Sequence, residues 1–255
     1  MKVKACVLDT ETTGFQPPII PIQLVYMPLR EELNKISPWK AKCFEEMFRP
    51  DRSIEYGAMA AHGITHADLL DAPSWNDYKF PVEADYYIGH NVDYDMDNVR
   101  PAMTKGFETK HICTFALAQL AFPAVDSHKL AALAYFLQDN GLLPAKYVDP
   151  WEEYIRNAHG AEADVHMCAG LLMAIAEKLG ATTWDKMHEY SEVARIPTIM
   201  PFGKHKGMEI RKVPSDYRRW LSGQSDVDRN LLKALTMPAA SWDQHMELVR
   251  QIRGE

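Results

Sequence analysis

Residues 3–8 (VKACVL) form an unbroken apolar run that stops at the polar string DTETTG. That is the pattern of a buried strand running into a turn. Residues 19–28 (IIPIQLVYMP) predict a second strand. Pro21 lies near its start, where an edge position tolerates a residue without an N–H. Residues 43–49 (CFEEMFR) predict a third strand, and 84–89 (ADYYIG) another that stops at His90-Asn91. Thr65 to Leu70 carries a capping signature, with Asp68 three residues after Thr65. Helical spacing follows over 94–104, 113–121 and 128–138. In the last of these Leu130, Leu133, Ala134 and Leu137 share a face, with Ser127 in the N-cap position. The stretch 164–179 is apolar nearly all round, which predicts a buried helix, and Gly180 supplies its stop. Strands come early and helices late, which implies a sheet covered by helices, of the α/β or α+β class.

Beyond Gly180 the texture changes. Residues 183–195 predict a connecting helix, and IPTIMP (196–201) a linker or extended segment. The expected divisions are a main domain over 1–180, a connection over 181–201 and a small basic module over 202–255. Between 197 and 235 eight Lys/Arg face four acids, a net charge of +4. With −7 over the whole chain, the rest carries −11. This is an acidic body with a basic appendage. An overall charge of −7 excludes a protein that coats nucleic acid by bulk charge, but not a nucleic-acid enzyme whose charge is arranged locally.

The 255 residues, 47% hydrophobic and 25% charged, suffice for a buried core and exclude dominant disorder. Cys6, Cys43, Cys113 and Cys168 form no C-x-x-C pair, so neither a zinc knuckle nor a thioredoxin-type motif is indicated. Cys6 and Cys168 sit in apolar runs as small core residues. A reducing cytoplasm fits, either bacterial or that of a host. The opening run is too short for a signal peptide, and no stretch approaches the roughly 20 apolar residues of a membrane span.

Asp9 and Glu11 are two apart at a strand end, so period two places both carboxylates on one face. Crowded carboxylates repel unless a cation lies between them, and the hard cations for oxygen ligands are Mg²⁺ and Mn²⁺. For D-x-E alone, a polar strand end at the solvent boundary is the plainer account. The longer string adds Thr12, Thr13 and Gly14, whose N–H groups and hydroxyls stand beside the acids, with Gly14 able to admit a ligand closely. In HNVDYD (90–95), Asp95 falls in a first helical turn pointing back at the strand ends, where the helix dipole alone also favours an acid. Asp93 and Asp97 are expected to face solvent. Asp164 opens the last apolar helix and His159 lies in the loop before it, positioned to swing over a metal site, although that spacing also arises by chance.

In this order the three pieces resemble the DEDDh branch of the DnaQ-like 3′–5′ exonucleases. The matching residues are Asp9 and Glu11 in DTETTG, Asp95 in HNVDYD, and His159 with Asp164 in HGAEAD. GAMAAHGIT (57–65) and HKLAALA (128–134) extend the likeness over roughly 3–180, and the tail beginning PFGKHKG is similar to the small C-terminal module of the exonuclease X type. Pro21 and the long tract 29–42 depart from the family pattern without touching the five core residues. The resemblance implies a ribonuclease H-like fold, a mixed five-stranded sheet flanked by helices, and two Mg²⁺ ions for which Mn²⁺ can substitute. It implies that Asp9 bridges both ions, that Glu11 and Asp164 hold the one carrying the attacking water, that Asp95 helps hold the second, and that His159 is the general base. The implied partner is DNA with a 3′ end, hydrolysed to 5′-mononucleotides.

Further candidates toward substrate are Phe15, stacking on the terminal base or packed in the core, and His62, touching substrate or making a structural hydrogen bond. Asn91 fixes the turn or touches substrate, and the tail's Lys204, Lys206, Arg211, Lys212, Arg218 and Arg219 hold the DNA backbone or form a solvated face. The alternatives are an RNA-trimming relative and a non-catalytic nucleic-acid-binding or polymerase-associated module. A nucleotide-binding protein would be expected to carry a glycine-rich phosphate loop, and both GxGxxG and GxxxxGK[ST] are absent from the sequence.

Overall fold

The computed structural model describes residues 1–35, 41–103, 109–143 and 148–255. Its strands are β1 (Lys2–Thr12), β2 (Pro21–Leu29), β3 (Phe44–Met47), β4 (Glu83–Gly89) and β5 (Lys110–Cys113), in one sheet of order β3-β2-β1-β4-β5. The β1–β2 and β2–β3 pairs are antiparallel, and the β1–β4 and β4–β5 pairs are parallel. The helices are α1 (Tyr56–His62), α2 (Val92–Val99), α3 (Thr114–Ala121), α4 (Leu130–Asp139), α5 (Val148–Arg156), α6 (Ala161–Lys178), α7 (Trp184–Ala194), α8 (Ser215–Ser222), α9 (Arg229–Thr236) and α10 (Ala239–Arg253). This is the ribonuclease H-like mixed sheet flanked by helices.

The unbroken apolar run at the start has a direct cause. Ala5 and Val7 pack into the cluster under α6, while Cys6 and Leu8 pack into the cluster under α2, so the central strand is buried on both faces. Helix α6 lies across β1 and β2 and is flanked by α3, α4 and α5. That explains why it is apolar on nearly every side and buries even His166. It stops at Gly180, whose φ is 62°.

Several expectations are corrected here. Strand β2 is interior, between β1 and β3, so Pro21 is not on an edge. It is tolerated because it is the first residue of the strand, opposite Thr12 where the register shifts. Ser127 does not cap α4: the helix starts at Leu130 behind Lys129, and Ser127 Oγ accepts from Lys129 N–H at 3.4 Å. Asp68 does accept from Thr65 N and Oγ1, both at 2.7 Å, but only one 3₁₀ turn follows, over Ala67–Leu69. The helix expected over 94–104 is α2 and then a 3₁₀ turn at Arg100–Ala102, where Pro101 breaks the α-helical ladder; position 104 lies outside the described residues. So does the middle of the long tract 29–42, at 36–40.

The segment after Gly180 is tied back to the body through α7 and α10. Trp184 and Met187 of α7 enter the main core. Ser191 Oγ accepts from Cys113 N–H at 2.9 Å and His188 Nδ1 donates to His111 O at 3.0 Å, so α7 covers the otherwise open edge of β5. Met200, Ile210, Val213, Leu221, Leu231, Ala234, Leu235 and Trp242 then form a separate small core. Helix α10 leaves that core and returns: Val249 joins the main cluster, and Arg253 donates to the last carbonyls of α3, Leu120 O at 3.1 Å and Gln119 O at 3.4 Å. Among the described residues no helix is long and apolar enough to cross a membrane.

Candidate active site

Alternation along β1 decides which side chains meet. Asp9 and Glu11 continue the Ala5–Val7 face, toward α6, whose first turn carries Asp164. Thr10 points the other way, toward α2, where its N–H and Oγ1 donate to Asp95 Oδ1 at 3.0 and 2.7 Å. Asp95 is 4% exposed and sits in the first turn of α2. Three elements thus converge four carboxylates on the ends of the central strands. Burial, then the charges of Asp95, Asp164 and Glu11, push Asp9 well above the ordinary carboxylate range. Burial and the neighbouring acids raise Glu11 to about 8. Burial raises Asp95 to about 7 against the opposing Thr10 hydrogen bonds. Asp164 is raised by burial, opposed by the His159 N–H.

Such a set fits a hard divalent cation: all donors are oxygen, and bound positive charge would remove a repulsion the fold otherwise retains. Among the described residues no three acid, thiol or imidazole side chains already enclose one point, so an ion would draw the carboxylates together. His159 stands at the rim. It is exposed, holds a left-handed φ of 72°, and its backbone N–H donates to Asp164 Oδ1 at 3.3 Å.

The DTETTG turn is built differently from the expectation. Thr12 Oγ1 hydrogen-bonds Tyr94 Oη at 2.7 Å. Thr13 is fully buried; its N–H donates to Ile20 O at 2.9 Å and its Oγ1 accepts from Ile20 N–H at 3.2 Å, so it closes the β1–β2 loop. The Glu55 carboxylate closely approaches Gly14. A Cβ on Gly14 would lie 2.2 Å from that carboxyl carbon. Glu55 in turn accepts from Gln16 N–H at 2.9 Å and Phe15 N–H at 3.4 Å. This splays Phe15 out of the turn: it is 77% exposed, its ring tilted on Tyr94 at 5.7 Å, which removes the core-packing reading. His62 Nδ1 accepts from Ile64 N–H at 3.0 Å, and burial lowers the ring's pKa against a weaker pull from the Thr12 backbone. Asn91 takes φ 83° and ψ 42° at the start of α2 with no side-chain cap, so its backbone makes the turn.

Asp97 is exposed, as expected, but Asp93 is not free in solvent. Its carboxylate accepts from His111 Nδ1 at 3.2 Å, from Arg195 Nη1 and from Arg229 Nη2 at 2.7 Å. Burial works to raise its pKa, but these three groups together hold it well below the usual range. Local pattern could not reveal this, because the partners come from β5, the end of α7 and α9. His90 likewise has a role that its local sequence does not reveal. Its Nε2 donates to His128 O at 2.8 Å and burial lowers its pKa to about 4, so a neutral ring ties the turn before α2 to the segment before α4. The basic tail is thinner than its composition suggested. Arg211 stacks on Trp242 and donates to Met237 O, Lys212 pairs with Glu209 at 2.9 Å, and Arg218 Nε donates to Val213 O at 3.1 Å. Lys204, Lys206 and Arg219 remain free of ion pairs among the described residues.

Residues 6–172 match the family model described as Exonuclease. The chain belongs to this exonuclease family. It is therefore a hydrolase of nucleic-acid phosphodiester bonds. This exonuclease is 28% identical over 225 residues to Exodeoxyribonuclease 10 of Escherichia coli (strain K12), covering 86% of this chain and 91% of the relative. Exonuclease X, solved in complex with 5′ overhanging duplex DNA, superposes with a TM-score of 0.51 at 25% identity, covering 73% of this chain and 99% of that one. The zinc-bound E. coli ExoI–ssDNA complex shares the fold, with a TM-score of 0.55 at 14% identity over 100% of this chain and 72% of that one.

Proposed function

We propose that this exonuclease is a metal-dependent 3′→5′ exodeoxyribonuclease that releases 5′-mononucleotides from DNA ends. The observation that carries the reading is the convergence of Asp9, Glu11, Asp95 and Asp164 from β1, α2 and α6, with His159 on the adjoining loop. Two Mg²⁺ ions, or Mn²⁺ in their place, would be held by these four acids and would supply activation of water and stabilisation of the leaving 3′ oxygen. Thr10 holds the Asp95 carboxylate through two hydrogen bonds and so fixes its orientation. His159 takes the proton from the attacking water, a task suited to imidazole near neutral pH. Its ring is free to reach over the cleft because the backbone, not the ring, is tied to Asp164. Phe15 offers an exposed ring beside the site for the terminal base, with Tyr94 behind it. DNA is favoured over RNA because one relative is an exodeoxyribonuclease and another exonuclease of similar structure was solved in complex with duplex DNA.

The test is a time course with matched 5′-labelled DNA and RNA oligonucleotides, in Mg²⁺ and in EDTA, with wild type and Asp9→Ala. A DNA ladder shortening from the 3′ end, lost in EDTA and in the variant, is the expected result. Intact DNA in Mg²⁺ from folded wild type refutes the proposal, and faster shortening of RNA refutes the choice of substrate. His159→Ala should lower kcat by roughly 10²–10⁴-fold with a far smaller change in KM. Asp164→Asn should abolish nearly all turnover.

A further inference from the structure

A groove of about 560 Å³ runs between the body and the C-terminal segment, lined among others by Phe115, His128 and Lys129 from the body and by Ile199, Lys206 and Gly207 from the tail. At one end, its lining residues Phe115 and His128 adjoin the turn that precedes α2, the helix that carries Asp95. The His90 ring, just before Asn91 and α2, meets the Phe115 ring edge-on at 5.5 Å and donates to His128 O at 2.8 Å. The other end is the loop 202–207. Gly203 and Gly207 take φ of 73° and 81° there, and the loop folds over Tyr217: Lys204 Nζ lies 5.0 Å from the centre of that ring and His205 packs against its edge. Tyr217 leads at 5.3 Å to Trp220, which is 56% exposed, and Phe202 at the start of the loop is also exposed.

This surface combines open aromatic and apolar side chains with cations. Among the described residues Lys129, Lys204, Lys206 and Arg219 form no ion pair. The acids near them are Asp126 in the groove wall, Glu209, already paired with Lys212, and Asp216 at the start of α8. The arrangement is that of a single-strand binding surface, in which rings stack on bases and spaced cations follow phosphates. It also meets a need of the site. A cluster of four acids on a body of net negative charge repels a polyanion, so the strand must be held away from the scissile bond.

We propose that the groove and the 202–220 face form one track for the single-stranded DNA whose 3′ end lies in the active site. The track rests on the exonuclease reading for the direction of the strand, and it assigns the C-terminal segment the task of holding DNA.

The test is equilibrium binding of fluorescent single-stranded DNA by the full chain in EDTA, comparing oligonucleotides of about four and about sixteen residues. Wild-type affinity should rise with length. In Trp220→Ala that rise should shrink by roughly tenfold, with most of it returned in Trp220→Phe. In the Lys204→Ala/Lys206→Ala double variant the slope of log Kd against log salt should fall by roughly 1.4. Long-strand affinity within twofold of wild type in both variants overturns the track. So does an equal loss on the short and long strands, or a length dependence seen with blunt duplex and not with single strand. Binding in EDTA is read without turnover. A chain that binds this way yet leaves DNA intact in Mg²⁺ refutes the hydrolytic reading alone, and one that shortens DNA with no length-dependent binding refutes the track alone.

Discussion

Replacing Asp93 by Ala separates a buried ionic contact from an exposed one at the same carboxylate. The Asp93 side chain is 24% exposed, its Arg195 partner 8%, and its Arg229 partner 73%. Removing Asp93 leaves the Arg195 guanidinium buried, with Nη2 lacking any partner and only Glu192 near Nε at 3.1 Å. Breaking a buried pair costs about 3–5 kcal/mol. The partial exposure of Asp93 and the remaining Glu192 reduce this to about 2–3 kcal/mol. Removing Arg229 instead takes away one exposed contact, worth about 0.2–1 kcal/mol. At about 2–4 °C per kcal/mol for a chain of this size, Asp93→Ala should lower the melting temperature by about 4–12 °C, and Arg229→Ala by at most about 4 °C. Urea and thermal unfolding followed by circular dichroism measure both. If Arg229→Ala costs as much as Asp93→Ala, or if Asp93→Ala costs less than about 1 kcal/mol, the burial argument is wrong.

Three further outcomes follow from the site. The folded pKa values of Asp9, Glu11, Asp95 and Asp164 are all raised above the unfolded ones, so their contribution to stability is full below the ordinary carboxylate range and declines as pH rises, for Asp95 and Glu11 through about 7 and about 8. Metal-free protein should therefore melt at lower temperature at pH 8.5 than at pH 5.5, and Mg²⁺ should restore most of the difference by binding the folded state alone; a metal-free melting temperature flat in pH would count against the acid cluster. Gly14→Ala should destabilise by about 1–3 kcal/mol, because its φ of 131° is strained for any residue with a Cβ, while the flexible Glu55 side chain can swing aside at smaller cost. Adding Glu55→Ala should return the steric share only, and full recovery would show that the φ strain is negligible. Phe15→Ala should leave stability within about 0.5 kcal/mol, since the ring is exposed, while changing the preference between duplex and single-stranded ends; an unchanged preference in an activity assay would remove the stacking role.

What the local pattern determined was which segments are buried and how each meets its neighbours. The run VKACVL announces a strand covered on both faces, and 164–179 announces a helix surrounded by core, because periodicity and apolar content report burial directly. The same alternation puts Asp9 and Glu11 on the α6 face and Thr10 on the other. Short elements escaped: β5 has four residues, and α1 has seven with none of them buried, too few positions for a period to show. The family motifs named the four acids and His159, but their convergence depends on the crossings that bring β1, α2 and α6 to one edge.

The roles of the remaining polar residues were decided by tertiary contact alone. Asp93 and Arg229 are 136 positions apart, and Gln16 and Glu55 are 39 apart, so no local pattern relates them. Composition counted six basic residues in the tail as equivalent, whereas packing ties Arg211, Lys212 and Arg218 to internal acceptors and leaves Lys204, Lys206 and Arg219 outside. The reason is physical. Hydrophobic burial is a property of each segment's own periodicity, but a charge is neutralised by whichever opposite group the fold delivers within a few ångströms, and only the assembled chain specifies that.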